Sequence, residues 1–108
     1  MNKQQKKKIL DTISKDATGR YYYVSDNGDM CVIAGLCGAF GKSPESELSD
    51  DDIDFAGLNQ DFIDWLENKT GLSESDLSML QLINDEYKTV KTRRAALKRY
   101  VNELAVQK

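Results

Sequence analysis

The segment from Ser73 to Tyr87 constrains the fold more than any other part of this sequence. Ser73 is a favoured N-cap residue, Glu74 and Asp76 put negative charge into the first turn, and Leu77, Leu80, Ile83 and Tyr87 recur at helical spacing. An amphipathic helix of this kind is stable only when its apolar stripe is buried against other elements, so the neighbouring segments must supply that cover. They have the right character. Leu58, Phe62, Trp65 and Leu66 line one side of a helix predicted over 58–68, with Asp61, Asp64 and Glu67 opposite and Gly71 as its stop. A last helix, starting after Thr89 or Thr92, turns Leu97, Tyr100, Val101 and Leu104 inward and Lys91, Arg94 and Lys98 outward. Near the start of the chain, 2–15 places Ile9, Leu10, Ile13 and Ala17 on one side of a helix that Gly19 ends.

Between the first helix and these three the pattern changes. Arg20-Tyr-Tyr-Tyr-Val24 is rich in β-formers, and Asn27-Gly28 is a preferred centre for a tight hairpin turn. Met30 to Ile33 is then the expected return strand. The run from Cys31 to Phe40 is apolar throughout and shows no period, so it reads as a strand giving way to a helix between Cys31 and Ala34. Gly35, Gly38 and Ala39 would let another element approach that helix closely. The stretch 41–57, with Pro44 and a run of acids, reads as an exposed acidic loop. The expected architecture is α+β: mostly helical, about five helices, with one short two-stranded β-hairpin, in a single domain over 1–108.

Composition narrows the class. With 40% hydrophobic and 31% charged residues, the chain is too apolar for disorder and too polar for a membrane protein. The opening MNKQQKKKIL lacks the apolar stretch of a secretory signal, and no run is long enough to span a bilayer, so a cytoplasmic location is expected. Two cysteines, Cys31 and Cys37, make no disulfide framework and are expected to be reduced. Charge is unevenly spread: seven basic and four acidic residues over 1–42, one and thirteen over 43–87, and seven and one over 88–108. Acid and base are therefore segregated along the chain.

The sequence contains no histidine, which removes the commonest general base and the usual partner of a nucleophilic Ser or Cys. A Cys31-dependent enzyme would need another activator, such as a helix start beneath the thiol, with Asp85 as a partner; otherwise Cys31 is a small core residue. Asp50, Asp52 and Asp54 alternate as in a calcium loop, but Phe55 stands where the loop glycine belongs and Asp61 where the bidentate glutamate belongs, so an EF-hand is excluded. No metal and no cofactor is expected. Asp50, Asp51, Asp52, Asp54, Asp61, Asp64 and Glu67 could form an acidic face that engages a protein, or a face that is solvated or paired with the basic C-terminal helix. Lys91, Arg93, Arg94, Lys98 and Arg99 could contact nucleic acid, although an acidic pI near 4.9 opposes it.

A Tyr-rich segment leading into Cys31-Val-Ile-Ala-Gly-Leu36, a late Leu82-Ile-Asn-Asp-Glu86 and an Arg-rich final helix together resemble a pattern in small uncharacterised proteins of bacteriophages and prophages. The resemblance implies a bacterial or phage cytoplasmic accessory that acts on a host or defence component, and it supplies no activity. Asn84 and Asp85 read as helix-borne polar residues that contact the Cys31 turn, where an Asp would accept exposed N–H groups at a helix start. The sequence therefore points to a non-enzymatic protein that binds a bacterial protein through an acidic surface. Its alternatives are a Cys31-dependent enzyme and a nucleic-acid-binding protein that uses the last helix. Acidic and basic segments could pair between copies as readily as within one, leaving a homo-oligomer open.

Overall fold

A computed structural model of the chain describes residues 1–19, 28–44 and 59–104. Five helices lie within the described residues: α1 (Lys3–Lys15), α2 (Val32–Ala39), α3 (Gln60–Thr70), α4 (Glu74–Glu86) and α5 (Val90–Glu103). Each begins where side-chain chemistry allows it. Asn2 and Gln5 close a capping box on α1, and Ser73 and Asp76 close another on α4. Asn59 caps α3 and Thr89 caps α5 through their side-chain oxygens. Gly71 ends α3 with φ 74°, a left-handed conformation that a side chain resists, and its N–H returns to the Glu67 carbonyl.

The expected α+β architecture is corrected. Among the described residues there is no strand, only an isolated bridge at Met30, and the fold is all-α. Val32 and Ile33, read as the end of a return strand, form the first turn of α2. The outgoing arm, 20–24, and Asn27 lie outside the described residues. The sequence misleads here because every residue from Val32 to Cys37 is buried. A short helix covered on all sides carries no amphipathic period and looks like a core strand. One backbone hydrogen bond near Met30 is strand-like, Gly19 N–H donating to the Met30 carbonyl (2.8 Å), while Met30 N–H donates to the Thr18 side chain at Oγ1 (3.0 Å). Of the acidic loop 41–57, only 41–44 fall within the described residues.

α1 and α4 each pack against both α2 and α5, and α3 lies on α1, α2 and α4. The space between them is filled by Ile9, Ile13, Ile33, Leu36, Ile63, Leu66, Leu77, Leu80, Leu97 and Val101, all fully buried. Each such side chain contributes about 1.5–3 kcal/mol on leaving water. No helix among the described residues is long and apolar enough to cross a membrane.

One polar group joins three of the elements. Arg93, on the first turn of α5, is 2% exposed. Its Nη1 donates to the Ala17 carbonyl (2.7 Å), its Nε and Nη2 to the Tyr87 carbonyl (3.2 and 3.0 Å), and its Nη2 also to the Lys88 carbonyl (3.3 Å). Arg94 continues the junction, donating to the Asp16 and Lys15 carbonyls, both at 2.9 Å. These acceptors follow or end α1 and α4, where carbonyls lack helical partners and the helix dipole favours a cation. Ala17 sits at φ 60°, a conformation costing roughly 1–2 kcal/mol for a residue with a Cβ, and its carbonyl is held by Arg93. Replacing Arg93 with Met would leave these carbonyls buried without a donor, with an expected loss of about 3 kcal/mol by urea unfolding. Arg93→Lys is expected to recover little, since an ammonium cannot span acceptors on two helix ends.

Candidate functional site

The most chemically dense region lies where α2 starts against the C-terminal turns of α4. Cys31 is the N-cap of α2, and its Sγ accepts from Ala34 N–H at 3.5 Å. Asn84, fully buried on α4, accepts from Val32 N–H through Oδ1 (3.0 Å) and donates through Nδ2 to the Gly19 carbonyl (3.0 Å) and to Asp85 Oδ1 (3.2 Å). Gln81 Nε2 donates to the other Asp85 oxygen at 3.0 Å. The open N–H groups at the start of α2 are thus met by a thiol and an amide oxygen.

This arrangement places Cys31 within electrostatic reach of the Asp85 carboxylate. The thiol is fully buried, and burial above all, with the Asp85 charge adding to it, pushes its pKa up to about 12 despite the backbone N–H groups that oppose the shift. A reactive cysteine needs a cation or an open helix end beside it; this one has a carboxylate and a sealed pocket. Cys37 is also buried, and its Sγ–H meets the Lys42 carbonyl at 3.4 Å. Gln81 Oε1 is buried and meets no hydrogen-bond donor among the described residues.

The acidic and basic candidates separate. On α3, Asp61 and Asp64 are exposed and Glu67 is half-buried, on the side opposite the anchors Phe62, Ile63 and Leu66. Among the described residues none of the three makes an ion pair; Asp64 accepts from Gln60 Nε2 at 2.9 Å. Asp50, Asp51, Asp52 and Asp54 lie outside the described residues. On α5, Lys91 and Arg99 are exposed and Lys98 is half-buried, whereas Arg93 and Arg94 are engaged with α1 and α4. The row of cations read along the last helix is therefore broken in the middle. Among the described residues, no three His, Cys, Asp or Glu side chains come together in a way that could hold a metal ion.

Two features were not anticipated. Lys8 lies over the Phe40 ring and Lys42 over the Trp65 ring, both 4.7 Å from the centroid, so two cations shield half-buried aromatics. A groove of about 440 Å³ runs between α1 and α2 past Lys8, Lys15, Gly35 and Gly38. A Cβ on Gly35 would stand 2.8 Å from Asp16 Cβ, so glycine sets how closely the two helices approach. No family model, curated protein or solved structure matches the chain.

Peptide mapping of the native protein is expected to find Cys31 unmodified by an alkylating reagent until the chain unfolds. The same burial makes stability pH-dependent. The folded thiol keeps its proton between its ordinary value of 9.0 and about 12, where the unfolded thiol loses it. Its contribution is therefore complete below pH 9 and lost as pH rises toward 12. Tyr100, pushed up to about 12 by burial and then by its bond to Asp76, adds a loss in the same direction above pH 10. Urea unfolding at about pH 8 and about pH 10.5 should show a shallower decline for Cys31→Ser than for the wild type. At neutral pH, Asn84→Ala should cost about 2–4 kcal/mol, because it strands Val32 N–H and the Gly19 carbonyl.

Proposed function

We propose that this chain is a non-enzymatic cytoplasmic binding module, of the phage or prophage accessory type that its sequence resembles, and that it engages a bacterial host or defence protein through the acidic face of α3. The observation that carries this reading is the state of the three carboxylates. Asp61, Asp64 and Glu67 stand on a helix held from behind by Phe62, Ile63 and Leu66, and none is neutralised by an ion pair among the described residues. Unpaired carboxylates on a rigid helix present a fixed negative pattern at no cost in ordering, which suits recognition of a basic protein surface.

The competing readings lose their chemical agents. A Cys31-dependent reaction would have to start from a buried thiol that stays protonated at neutral pH. A nucleic-acid contact along α5 alone would lack Arg93 and Arg94, whose guanidinium groups are engaged with backbone carbonyls. Binding through α3 needs no rearrangement of the core.

The test is an affinity capture from bacterial lysate with the tagged protein, against a variant carrying Asp61→Ser, Asp64→Ser and Glu67→Ser. A specific protein retained by the wild type should drop by about tenfold or more with the variant, and its retention should weaken as salt rises. Equal retention by both proteins would remove α3 as the interface.

A further inference from the structure

The two basic ends of the sequence meet in the fold. Because α1 and α4 both pack on α2 and on α5, α2 and α5 occupy opposite flanks of α1. Lys8 and Lys15 line the flank against α2. Lys3, Lys6 and Lys7 surround half-buried Leu10 in a separate groove of about 390 Å³, which helical spacing places on the other flank, toward α5. On α5, Arg94 is bonded to the last carbonyls of α1, and Lys91 and Lys98 stand three residues before and four after it, on that same edge. The α1–α5 side thus carries Lys3, Lys6 and Lys7, with Asp11, around a groove whose described lining is α1 alone, and Lys91 and Lys98 on the α5 edge that turns toward α1. None of the five lysines makes an ion pair among the described residues. α3 is built on α1, α2 and α4, which places its acidic face away from this seam.

We propose that the α1–α5 seam is a docking surface for the acidic α3 face of a second copy of this chain. The proposal rests on the availability of α3 argued above and adds a regulation to it, since a second copy would cover the carboxylates that a partner protein needs. Charge complementarity selects this occupant: among the described residues, one side of the molecule carries five lysines without an ion pair, Lys6 and Lys98 half-buried and the others exposed, and another carries three such carboxylates, Glu67 half-buried and the others exposed. Leu10 gives the groove an apolar floor that a protein surface can cover and a phosphate backbone does not use. A net charge of −3 also opposes a polyanion at long range more strongly than it opposes another copy. Since the two faces are different patches, the contact is heterologous, and it extends into chains or closes into a ring.

Sedimentation velocity of the purified full chain at low ionic strength tests this. The wild type should sediment faster as concentration rises and return to monomer at about 0.5 M salt, where screening acts within a few ångströms. A seam variant (Lys3→Glu, Lys6→Glu, Lys7→Glu) and a face variant (Asp61→Lys, Asp64→Lys, Glu67→Lys) should each associate about tenfold or more weakly. Mixed together they should assemble again. Lys8→Glu with Lys15→Glu, on the other flank of α1, should leave association unchanged. A wild type that stays monomeric at low salt overturns the proposal, as does equal loss in the Lys8 and Lys15 variant, which would make the effect one of bulk charge. Oligonucleotide binding that depends on the seam lysines, without self-association, overturns it in favour of nucleic acid. The seam variant keeps α3 intact, so lysate capture by it reports on the partner-binding reading alone.

Discussion

The architecture depends on Arg93. A guanidinium that is 2% exposed has left water almost completely, and backbone carbonyls take up much of the hydrogen bonding it has given up. Those carbonyls belong to the segments that end or follow α1 and α4, so one side chain at the start of α5 fixes where two other helices stop. Its fork spans acceptors that no single-point cation could reach together. The unfavourable backbone at Ala17 fits the same picture: a residue at φ 60° persists because its carbonyl is one of the ends being tied.

Asn84 has the corresponding role at the start of α2. It links the first turn of that helix to Gly19 and orients Asp85, so α4 positions α2 by hydrogen bonds as well as by packing. The close approach of Gly35 to Asp16 sets which side of α2 faces α1, a directional bond to Val32 N–H adds a second constraint, and Cys31 beside it closes the remaining open end.

Much of this was legible in the sequence, and the failures have physical causes. The helices α1, α3, α4 and α5 are amphipathic, and the residues that turned them inward, such as Ile13, Leu66, Leu77 and Leu97, are those the apolar spacing names. α2 was half lost because full burial erases the period. The structural role of Asn84 was partly visible, since it falls on the stripe of Leu77 and Leu80, where a polar side chain must find partners. Arg93 carried a comparable signal, sharing its face with Ala96, Leu97 and Tyr100, yet it reads at first as one more cation in a basic helix. Charge identity is obvious in a sequence, while the consumption of a charge by backbone carbonyls depends on where distant helices end. The proposed roles of the acidic face and of the seam lie beyond what spacing can establish, because they depend on which charges the fold leaves unspent.

That distinction between spent and unspent charge organises the molecule. Arg93 and Arg94 are bonded to backbone carbonyls, Asp85 is held by two side-chain amides, and Lys8 and Lys42 cover aromatic rings. Asp61 and Asp64 on α3, and the lysines along α1 and α5, have no ion-pair partner among the described residues. A fold that merely solubilised its surface would gain by interleaving these signs, since neighbouring opposite charges stabilise helices by a few tenths of a kcal/mol per pair. Keeping them on separate helices forgoes that gain and leaves two surfaces of opposite sign on a rigid frame. Such a frame is suited to meeting something charged, and the internal polar junctions keep the two surfaces in fixed relation while it does so.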